Sequence, residues 1–359
     1  TVFQNINNKL ERQYDYNLNT ATIYCDPNSI TDFGHSIAYE ENKKLFIVGA
    51  PSASNIRAPL STGTVILSTG TGTIKSFEHE GLVKVSAKNL TLSKDDTWAI
   101  LVNPNAATSS TAVNARFGHS IYVSQPIFTT STTMLVSAPG TSNYSGSGSV
   151  YAYWISTTTN TSTNSIISVN PYKFVVASTS SITLNAGSRW GHKISGNREG
   201  TKIAISAPGY QSTTSNKIGV VQIFNNTLTW TQTILSPLTS GEVFGDDLVV
   251  SNSGNILLIS SVNSITSTRS KGKVFVYNLN SNGVYQYIQV IDNPINSVDL
   301  KFGYSLSISD DESIISISAL GTNRSKQTRF YYTIITKIKI HQIIYYIITF
   351  ITFISWNIF

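Results

Sequence analysis

Residues 190–209 read WGHKISGNREGTKIAISAPG, and this stretch decides the fold because both of its ends recur along the chain. An aromatic residue followed by glycine opens the stretch, and a hydrophobic run with a small residue closes it. The opening pair occurs five times, at Phe33-Gly34, Phe117-Gly118, Trp190-Gly191, Phe244-Gly245 and Phe302-Gly303. The closing run accompanies it at Val48-Gly49-Ala50-Pro51, Val136-Ser137-Ala138-Pro139, Ile205-Ser206-Ala207-Pro208, Ile259-Ser260-Ser261 and Ile317-Ser318-Ala319.

The spacing inside the unit is nearly constant, whereas the spacing between units varies. The step from the aromatic to the small residue is the same in four units, as from Phe244 to Ser260, and longer only from Phe117 to Ser137. A constant spacing within each unit, combined with a variable distance between units, indicates one structural unit that is copied several times.

The unit that begins at Phe244 contains four apolar runs separated by turn residues. They are 248–250, 256–259, 273–277 and 284–290. Short β-branched and aromatic runs between Gly, Asn and Ser clusters are typical of strands. Four antiparallel strands in a radially repeated unit predict an all-β protein, a β-propeller with five recognisable blades. The aromatic residues and glycines of the repeat, Gly49 included, are therefore interpreted as structural anchors.

Composition excludes several classes of function. The chain has 359 residues and a net charge of +6, but the last 36 residues contribute five of those charges and contain no Asp or Glu. The remaining body is close to neutral and has no basic stripe for a nucleic acid. The single cysteine, Cys25, allows no disulfide within the chain and is interpreted as a small buried hydrophobe.

The repeat resembles the FG-GAP repeat of integrin α-subunits. The residues that carry the resemblance are Phe33-Gly34-His35-Ser36-Ile37, Phe117-Gly118-His119-Ser120-Ile121 and Trp190-Gly191-His192-Lys193-Ile194, each with its closing run. The resemblance covers residues from about 20 to 323. It implies a seven-bladed ring, of which these five repeats form an incomplete part, and an extracellular or cell-surface protein. Residues 1–32 are then the outer strand of a preceding blade or an N-terminal lead-in, and residues 33–323 form the propeller.

Relatives of this kind often bind calcium in the hairpin between the two signals. Here the hairpins lack acidic oxygens at the first, third and fifth positions of a loop that could wrap an ion. Only Asp310, Asp311 and Glu312 form an acid-rich turn. An exposed, solvated turn is the favoured interpretation, and a calcium site there is the weaker alternative. No other cofactor is expected.

Three histidines, His35, His119 and His192, occupy the same position of the repeat. A zinc cluster would require them to meet at the narrowest part of a central channel. A recurring structural hydrogen bond is the favoured prediction. Adjacent carboxylates such as Asp246 and Asp247 point to opposite faces of a strand and do not by themselves form an acid/base pair.

Residues 324–359 break the repeat pattern. Three interpretations stay open: the last strands of the fifth blade, a membrane-associated segment at residues 343–359, and a frameshifted end of the reading frame. The 17 residues from 343 to 359 carry no formal charge and would span about 26 Å as a helix, the lower limit for crossing a bilayer.

The sequence favours a non-enzymatic binding or adhesion module, expected to be a monomer, that presents its loops to a protein or glycan partner. The insertions within residues 64–116 and 141–189 are the expected contact surfaces. The first alternative is a hydrolase or lyase with its site at the channel mouth, which a cluster of histidines and carboxylates in the central pocket would favour. The second alternative is a truncated fragment without function.

Overall fold

The structure is a computed structural model. It describes residues 2–6, 9–14, 35–40, 45–51, 64–68, 90–92, 99–103, 115–125, 132–140, 147–159, 165–175, 177, 182–212, 218–237, 243–262, 272–293, 300–323, 328–339, 342–344 and 348–351. Phe33 and Gly34, the first aromatic-glycine pair, lie outside the described residues. Within the described part of the chain, no helix is long and apolar enough to cross a membrane.

All regular structure in the described residues is β-strand. The strands are β1 (Val2–Ile6), β2 (Lys9–Tyr14), β3 (Ser36–Glu40), β4 (Leu45–Ala50), β5 (Thr64–Ser68), β6 (Leu90–Leu92), β7 (Ala99–Val102), β8 (Ile121–Val123), β9 (Thr132–Ala138), β10 (Ser149–Thr159), β11 (Ser165–Val175), β12 (Ile194–Gly196), β13 (Ile203–Gln211), β14 (Ile218–Phe224), β15 (Trp230–Leu235), β16 (Leu248–Val250), β17 (Ile256–Ser261), β18 (Lys273–Leu279), β19 (Tyr285–Asp292), β20 (Leu300–Ile308), β21 (Ile314–Asn323), β22 (Thr328–Lys339), β23 (Gln342–Ile344) and β24 (Ile348–Ile351).

Five antiparallel sheets follow one another along the chain, and each is a blade. Blade 1 contains β3, β4, β5 and β7, blade 2 contains β8 to β11, blade 3 contains β12 to β15, blade 4 contains β16 to β19, and blade 5 contains β20 to β23. Inside each blade the strands lie side by side in the order in which they occur in the chain. The predicted four-stranded antiparallel blades are confirmed.

The register of blade 4 shows how one blade buries both of its faces. Leu248 pairs with Ile259, Ile259 with Phe275, and Phe275 with Val290, so these four side chains form a row across one face. That row packs against blade 3. The next row in the register includes Leu258 and packs on the other side, against blade 5.

The hydrophobic core consists of four wedges between successive blades rather than one central cluster. Each wedge combines residues of two neighbouring blades. The anchor aromatics Phe117, Trp190, Phe244 and Phe302 are buried in these wedges, with at most 2% of their surface exposed. Phe117 packs edge-on against Tyr151 at a centroid distance of 5.6 Å, which is the favoured geometry for two aromatic rings.

The blades are arranged radially around a channel. The first strand of each blade contacts the first strand of the next, in the order β3, β8, β12, β16 and β20. Residues in or beside all five of these inner strands line one cavity. This arrangement identifies the fold as a β-propeller of which five blades are described.

The aromatic-glycine pair forms the centre of a tight turn that leads into the inner strand. The His119 N–H donates to the Arg116 carbonyl over 3.1 Å, and Gly118 has φ of 90°. In blade 3 the same bond joins His192 to the Arg189 carbonyl over 3.0 Å. A type II turn requires a positive φ at its third residue, which glycine adopts without a steric penalty.

The anchor glycine also touches the small residue of the preceding blade. A Cβ added to Gly191 would lie 2.9 Å from the Cβ of Ser137, and one added to Gly303 would lie 2.8 Å from the Cβ of Ser260. In the first junction the small residue is Gly49, whose added Cβ would lie 2.0 Å from the Gly118 carbonyl oxygen. The two sequence signals therefore meet across the blade junction, the second signal of one blade against the first signal of the next.

Three parts of the chain lie outside the regular pattern. β6, from the first insertion, pairs with β11 and extends blade 2 to five strands. β1 and β2, from the segment 1–32, form a separate hairpin, while residues 15–34 lie outside the described residues. In the tail, β22 pairs with β21 as the third strand of blade 5, and both β23 and β24 pair with β22.

Replacing Gly303 by alanine tests the junction, with Gly283 as the matched control. Both glycines have positive φ, but an added Cβ at Gly283 would meet only the Lys202 Nζ, at 3.5 Å. We expect Gly283→Ala to lower the free energy of unfolding by about 1–2 kcal/mol, the backbone penalty alone. Gly303→Ala should lower it by about 1–3 kcal/mol more, because the new methyl group overpacks the junction.

Urea denaturation of the full chain and both variants measures this difference. Equal destabilisation by the two substitutions would show that the junction contact is not tight. The wild-type protein should unfold in a cooperative transition, and a non-cooperative melt would favour the alternative of a non-functional fragment.

Candidate functional site

The residue after each anchor glycine lies at the mouth of the central channel. One residue from every described blade reaches this ring: His35, His119, His192, Asp246 and Tyr304. A hydrogen bond holds the chain in place where it leaves the turn. The backbone N–H of the residue after the ring position donates to the serine hydroxyl of the closing run. Ser206 accepts from the Lys193 N–H over 3.1 Å, and Ser260 accepts from the Asp247 N–H over 2.9 Å.

The ring surrounds a cavity of about 540 Å³. This volume lies within the range of about 300–1,000 Å³ that is usual for small-molecule sites. Its wall combines imidazoles, cationic side chains, carboxylates, serine hydroxyls and one exposed tyrosine ring. The charged groups of this wall come from three different blades, so the site exists only when the blades are assembled.

The three histidines of the repeat converge at this mouth. The ring centroids of His35 and His119 are 4.5 Å apart, and those of His119 and His192 are 4.9 Å apart. The sequence favours a recurring structural hydrogen bond over convergence, whereas the structure brings the rings together and gives two of them different bonds. His119 contacts the His192 carbonyl through Nδ1 at 3.0 Å, and His192 contacts the Arg189 guanidinium. Within the described residues, no group of three or more His, Cys, Asp or Glu side chains could hold a metal ion.

Hydrogen bonds determine which nitrogen of each histidine carries the proton. A carbonyl oxygen only accepts, so the His119 Nδ1 donates to the His192 carbonyl and the His119 Nε2 is left as an acceptor. A guanidinium only donates, so the Arg189 Nη2 donates to the His192 Nδ1 over 2.5 Å and the His192 Nε2 carries a hydrogen. The neighbouring imidazoles thus offer opposite hydrogen-bonding groups.

Both histidines are neutral at pH 7. Burial, followed by the nearby His192, lowers the pKa of His119 well below its ordinary value. Burial and the adjacent Arg189 guanidinium likewise lower the pKa of His192. The direction agrees with the hydrogen bonds, because a protonated His192 would have no lone pair to accept from Arg189.

Two arginines at or near the site have a strained backbone. Arg116 and Arg189 immediately precede the anchor aromatics and have φ of 59° and 60°. Left-handed conformations are uncommon outside glycine and concentrate at functional sites. Arg189 lines the cavity, and its buried Nε has no hydrogen-bond partner. Burial lowers the pKa of Arg189, and nearby Asp246 partly offsets that effect.

The adjacent carboxylates have different partners. Asp247 is buried, pairs with the Lys193 ammonium at 2.7 Å, and accepts the Leu306 N–H of blade 5 over 2.8 Å. Asp246 is half-buried and accepts the Val262 N–H over 2.9 Å. Asp247 therefore fastens blade 4 to blade 5, whereas Asp246 belongs to the ring at the mouth.

The acid-rich turn lies away from this mouth, at the far end of the inner strand of blade 5. Asp310 accepts from the Asn252 side chain over 2.9 Å, and Glu312 accepts from the Ser253 N–H over 3.2 Å. Asp311 instead caps its own turn by accepting from Ser309 and Ser313. Of the three calcium candidates, Asp310 and Glu312 therefore link two hairpins by hydrogen bonds, and Asp311 stabilises the turn of its own hairpin.

Neither arginine is among the site residues predicted from the sequence. The tetrapeptides Arg-Phe-Gly-His at 116–119 and Arg-Trp-Gly-His at 189–192 repeat an arginine at one position. That repetition is the signal that could have found them. Parts of the insertions within 64–116 and 141–189 lie outside the described residues, so their expected role as contact surfaces stays a prediction.

Known proteins resemble this chain only distantly. No family model matches the chain, and no curated protein matches its sequence. Among solved structures, a periplasmic gluconolactonase of Pseudomonas aeruginosa aligns with a TM-score of 0.43 and 10% identity, over 86% of this chain and 82% of that one. Prolyl oligopeptidase B from Galerina marginata aligns with a TM-score of 0.40 and 11% identity, over 87% of this chain and 37% of that one. Nothing about a ligand or reaction follows from likenesses at this level.

Lowering the pH should destabilise the protein, because the folded structure keeps His119 and His192 neutral at the mouth. The unfolded chain binds up to two more protons than the folded protein once the pH falls below about 6.5, the pKa of unfolded histidine. Stability is therefore fully present above this pH and is lost as the pH falls, by at most about 2.7 kcal/mol per pH unit for two groups. Urea denaturation at several pH values between 7.5 and 5 measures the slope.

His192→Gln is the matched variant for this experiment, because the glutamine oxygen can still accept from Arg189. It should reduce the slope by up to half. The pKa of Asp311 is lowered to about 2 by hydrogen bonds from Ser309 and Ser313, so that carboxylate does not titrate in this window. An identical slope in wild type and variant would contradict the assignment.

Calcium should leave the stability unchanged, because the carboxylates of the acid-rich turn diverge towards different partners. A site of the weak extracellular kind, with a Kd of about 0.1–1 mM, would add about 1–2 kcal/mol at about 5 mM calcium. Thermal unfolding in calcium chloride, against sodium chloride of equal ionic strength, measures the effect. A rise in Tm that Asp310→Asn abolishes would establish a calcium site instead.

Proposed function

We propose that this protein is a binding module whose ligand site is the mouth of the propeller channel, and that its ligand is a small anion or the anionic end of a larger molecule. The observation that carries the proposal is Arg189. Its backbone is strained, its side chain lines the cavity, and its buried Nε–H has no partner. A buried donor without an acceptor is destabilising, and an anionic ligand would satisfy it.

The surrounding charges support the same assignment. Arg189 and the exposed Lys301 line the cavity together with the Asp246 carboxylate, and Lys193 is neutralised by Asp247. Because the histidines are neutral, the mouth has a modest positive excess rather than a dense cationic cluster. Such a site suits one anionic group surrounded by neutral polar groups.

The proposal retains the broader interpretation from the repeat. A channel that binds a ligand group is compatible with an extracellular monomer of the FG-GAP type that recognises a glycan or protein partner. The channel mouth takes the place of the inserted loops as the proposed contact surface, because its residues converge on one cavity.

A second function, acid/base catalysis by a hydrolase or lyase, is favoured by the two histidines. His119 offers an unprotonated Nε2 and His192 offers an Nε2–H, within rings whose centroids are 4.9 Å apart. A proton acceptor beside a proton donor is the arrangement that general acid/base catalysis requires. Recovery of a bound ligand in chemically changed form, with loss of this change in His119→Gln, would favour the enzyme.

Arg189→Asn tests the binding proposal, since asparagine tolerates the left-handed backbone. Thermal unfolding is followed with propionate, glucuronate, phosphate and sulfate, each against sodium chloride of equal ionic strength. We expect at least one anion to stabilise the wild type, by about 1.4 kcal/mol at ten times its Kd. The variant should lose this stabilisation.

Arg198→Asn is the matched control, because Arg198 is an exposed arginine that lines a separate pocket towards the other end of the inner strands. It should respond to anions like the wild type. Failure of all four anions to stabilise the wild type, or equal responses in both variants, would refute the proposal.

A further inference from the structure

We propose that the channel mouth is a sugar-acid site, one that takes a single carboxylate together with several hydroxyl groups on one small ring or chain. This inference rests on the proposed function and names the class of its ligand. Three features of the mouth carry it: the mixture of donors and acceptors, the placement of the cations, and one exposed aromatic face.

The acceptors in the ring require hydroxyl groups on the ligand. His119 has Nε2 as an acceptor, and Asp246 adds a carboxylate to the wall of the same cavity. A sulfate or a dicarboxylate would bring only acceptors against these groups, which is unfavourable. A hydroxyl group donates to one acceptor and can accept from the His192 Nε2–H at the same time.

The cationic side chains of the cavity are suited to binding one carboxylate of the ligand. Arg189 contributes the buried Nε–H, and a guanidinium binds a carboxylate more specifically than an ammonium does. Lys193 is committed to Asp247 at 2.7 Å and is not available as a second strong partner. Lys301 lies at the exposed side of the cavity, where water screens its charge.

Tyr304 supplies the apolar element that a sugar needs. It is 53% exposed, lines the cavity, and makes no ring contact with another aromatic of the described residues. An exposed aromatic with an apolar face and a polar tip suits a ligand that has both C–H and O–H groups. The cavity of about 540 Å³ is large enough for a ligand of this size.

Isothermal titration calorimetry of the full chain tests the ligand class. The sugar acids are D-glucuronate, D-galacturonate and D-gluconate. D-glucose lacks the carboxylate, and cyclohexanecarboxylate lacks the hydroxyl groups. We expect at least one sugar acid to bind ten-fold or more tightly than either control. Methyl glycosides of the two uronates imitate the end of an acidic glycan, and tighter binding of these than of gluconate would point to a glycan rather than a free acid.

Tyr304→Leu should weaken binding of that sugar acid about five-fold. Tyr287→Leu is the matched control: Tyr287 is 50% exposed on the outer strand of blade 4 and does not line this cavity, and its variant should bind like the wild type. Circular dichroism checks that both variants fold. Equal loss in the two variants would overturn the role of Tyr304 and with it the sugar-acid site.

The outcomes separate this inference from the proposed function. Binding of cyclohexanecarboxylate as tight as that of the sugar acids, or binding of phosphate alone, would overturn the sugar-acid class while an anion site remains. If neither the carboxylates nor phosphate bind, both the inference and the proposed function fail. Binding of glucose as tight as that of the uronates would overturn the role of Arg189 as the carboxylate partner.

Discussion

The structure depends on one steric constraint, the contact between an anchor glycine and the small residue of the preceding blade. No side chain fits between Gly191 and Ser137, or between Gly303 and Ser260, so the turn of each blade lies directly against its neighbour. This approach sets the spacing of the inner strands and lets the aromatic beside the glycine enter the wedge between the blades. Because the same contact recurs at each described junction, the blades follow one another with a repeated geometry and enclose a channel.

The same turn contains residues that pack between the blades and, next to them, a residue that lines the cavity. Its aromatic and glycine are committed to packing, and its backbone is fixed by hydrogen bonds to the closing run. The residue that follows the glycine differs between blades: in this chain that position holds three histidines, Asp246 and Tyr304, which places five polar or aromatic side chains around one mouth. Two of them also contribute hydrogen bonds to the frame, because His119 donates to the His192 carbonyl of the next blade and Asp246 accepts the Val262 N–H. A substitution at this position changes the wall of the mouth, whereas the contact between the glycine and the closing run is retained.

The sequence predicts the blades and their strand order because spacing and turn residues are local signals. It does not predict the convergence of His35, His119 and His192, which depends on the rotation between blades. The strained backbone of Arg189 also escapes sequence reasoning, since arginine has no preference for a left-handed conformation. The partners of the acid-rich turn are not predictable from the sequence either. The sequence shows three carboxylates, but the hydrogen bonds of Asp310 and Glu312 depend on the position of the neighbouring hairpin.

The neutrality of the histidines limits what the channel can bind. If His119 and His192 were protonated beside Arg189, the mouth would repel its own cations and would attract multiply charged anions without selectivity. Burial and the guanidinium prevent this by lowering the pKa of His192, and the resulting tautomers convert two potential cations into one acceptor and one donor. In the proposed site, the discrimination between ligands then depends on the pattern of hydrogen-bond donors and acceptors rather than on net charge. In the proposed site Arg189 therefore has two roles: it binds the anion, and it is the largest cause after burial that lowers the pKa of His192.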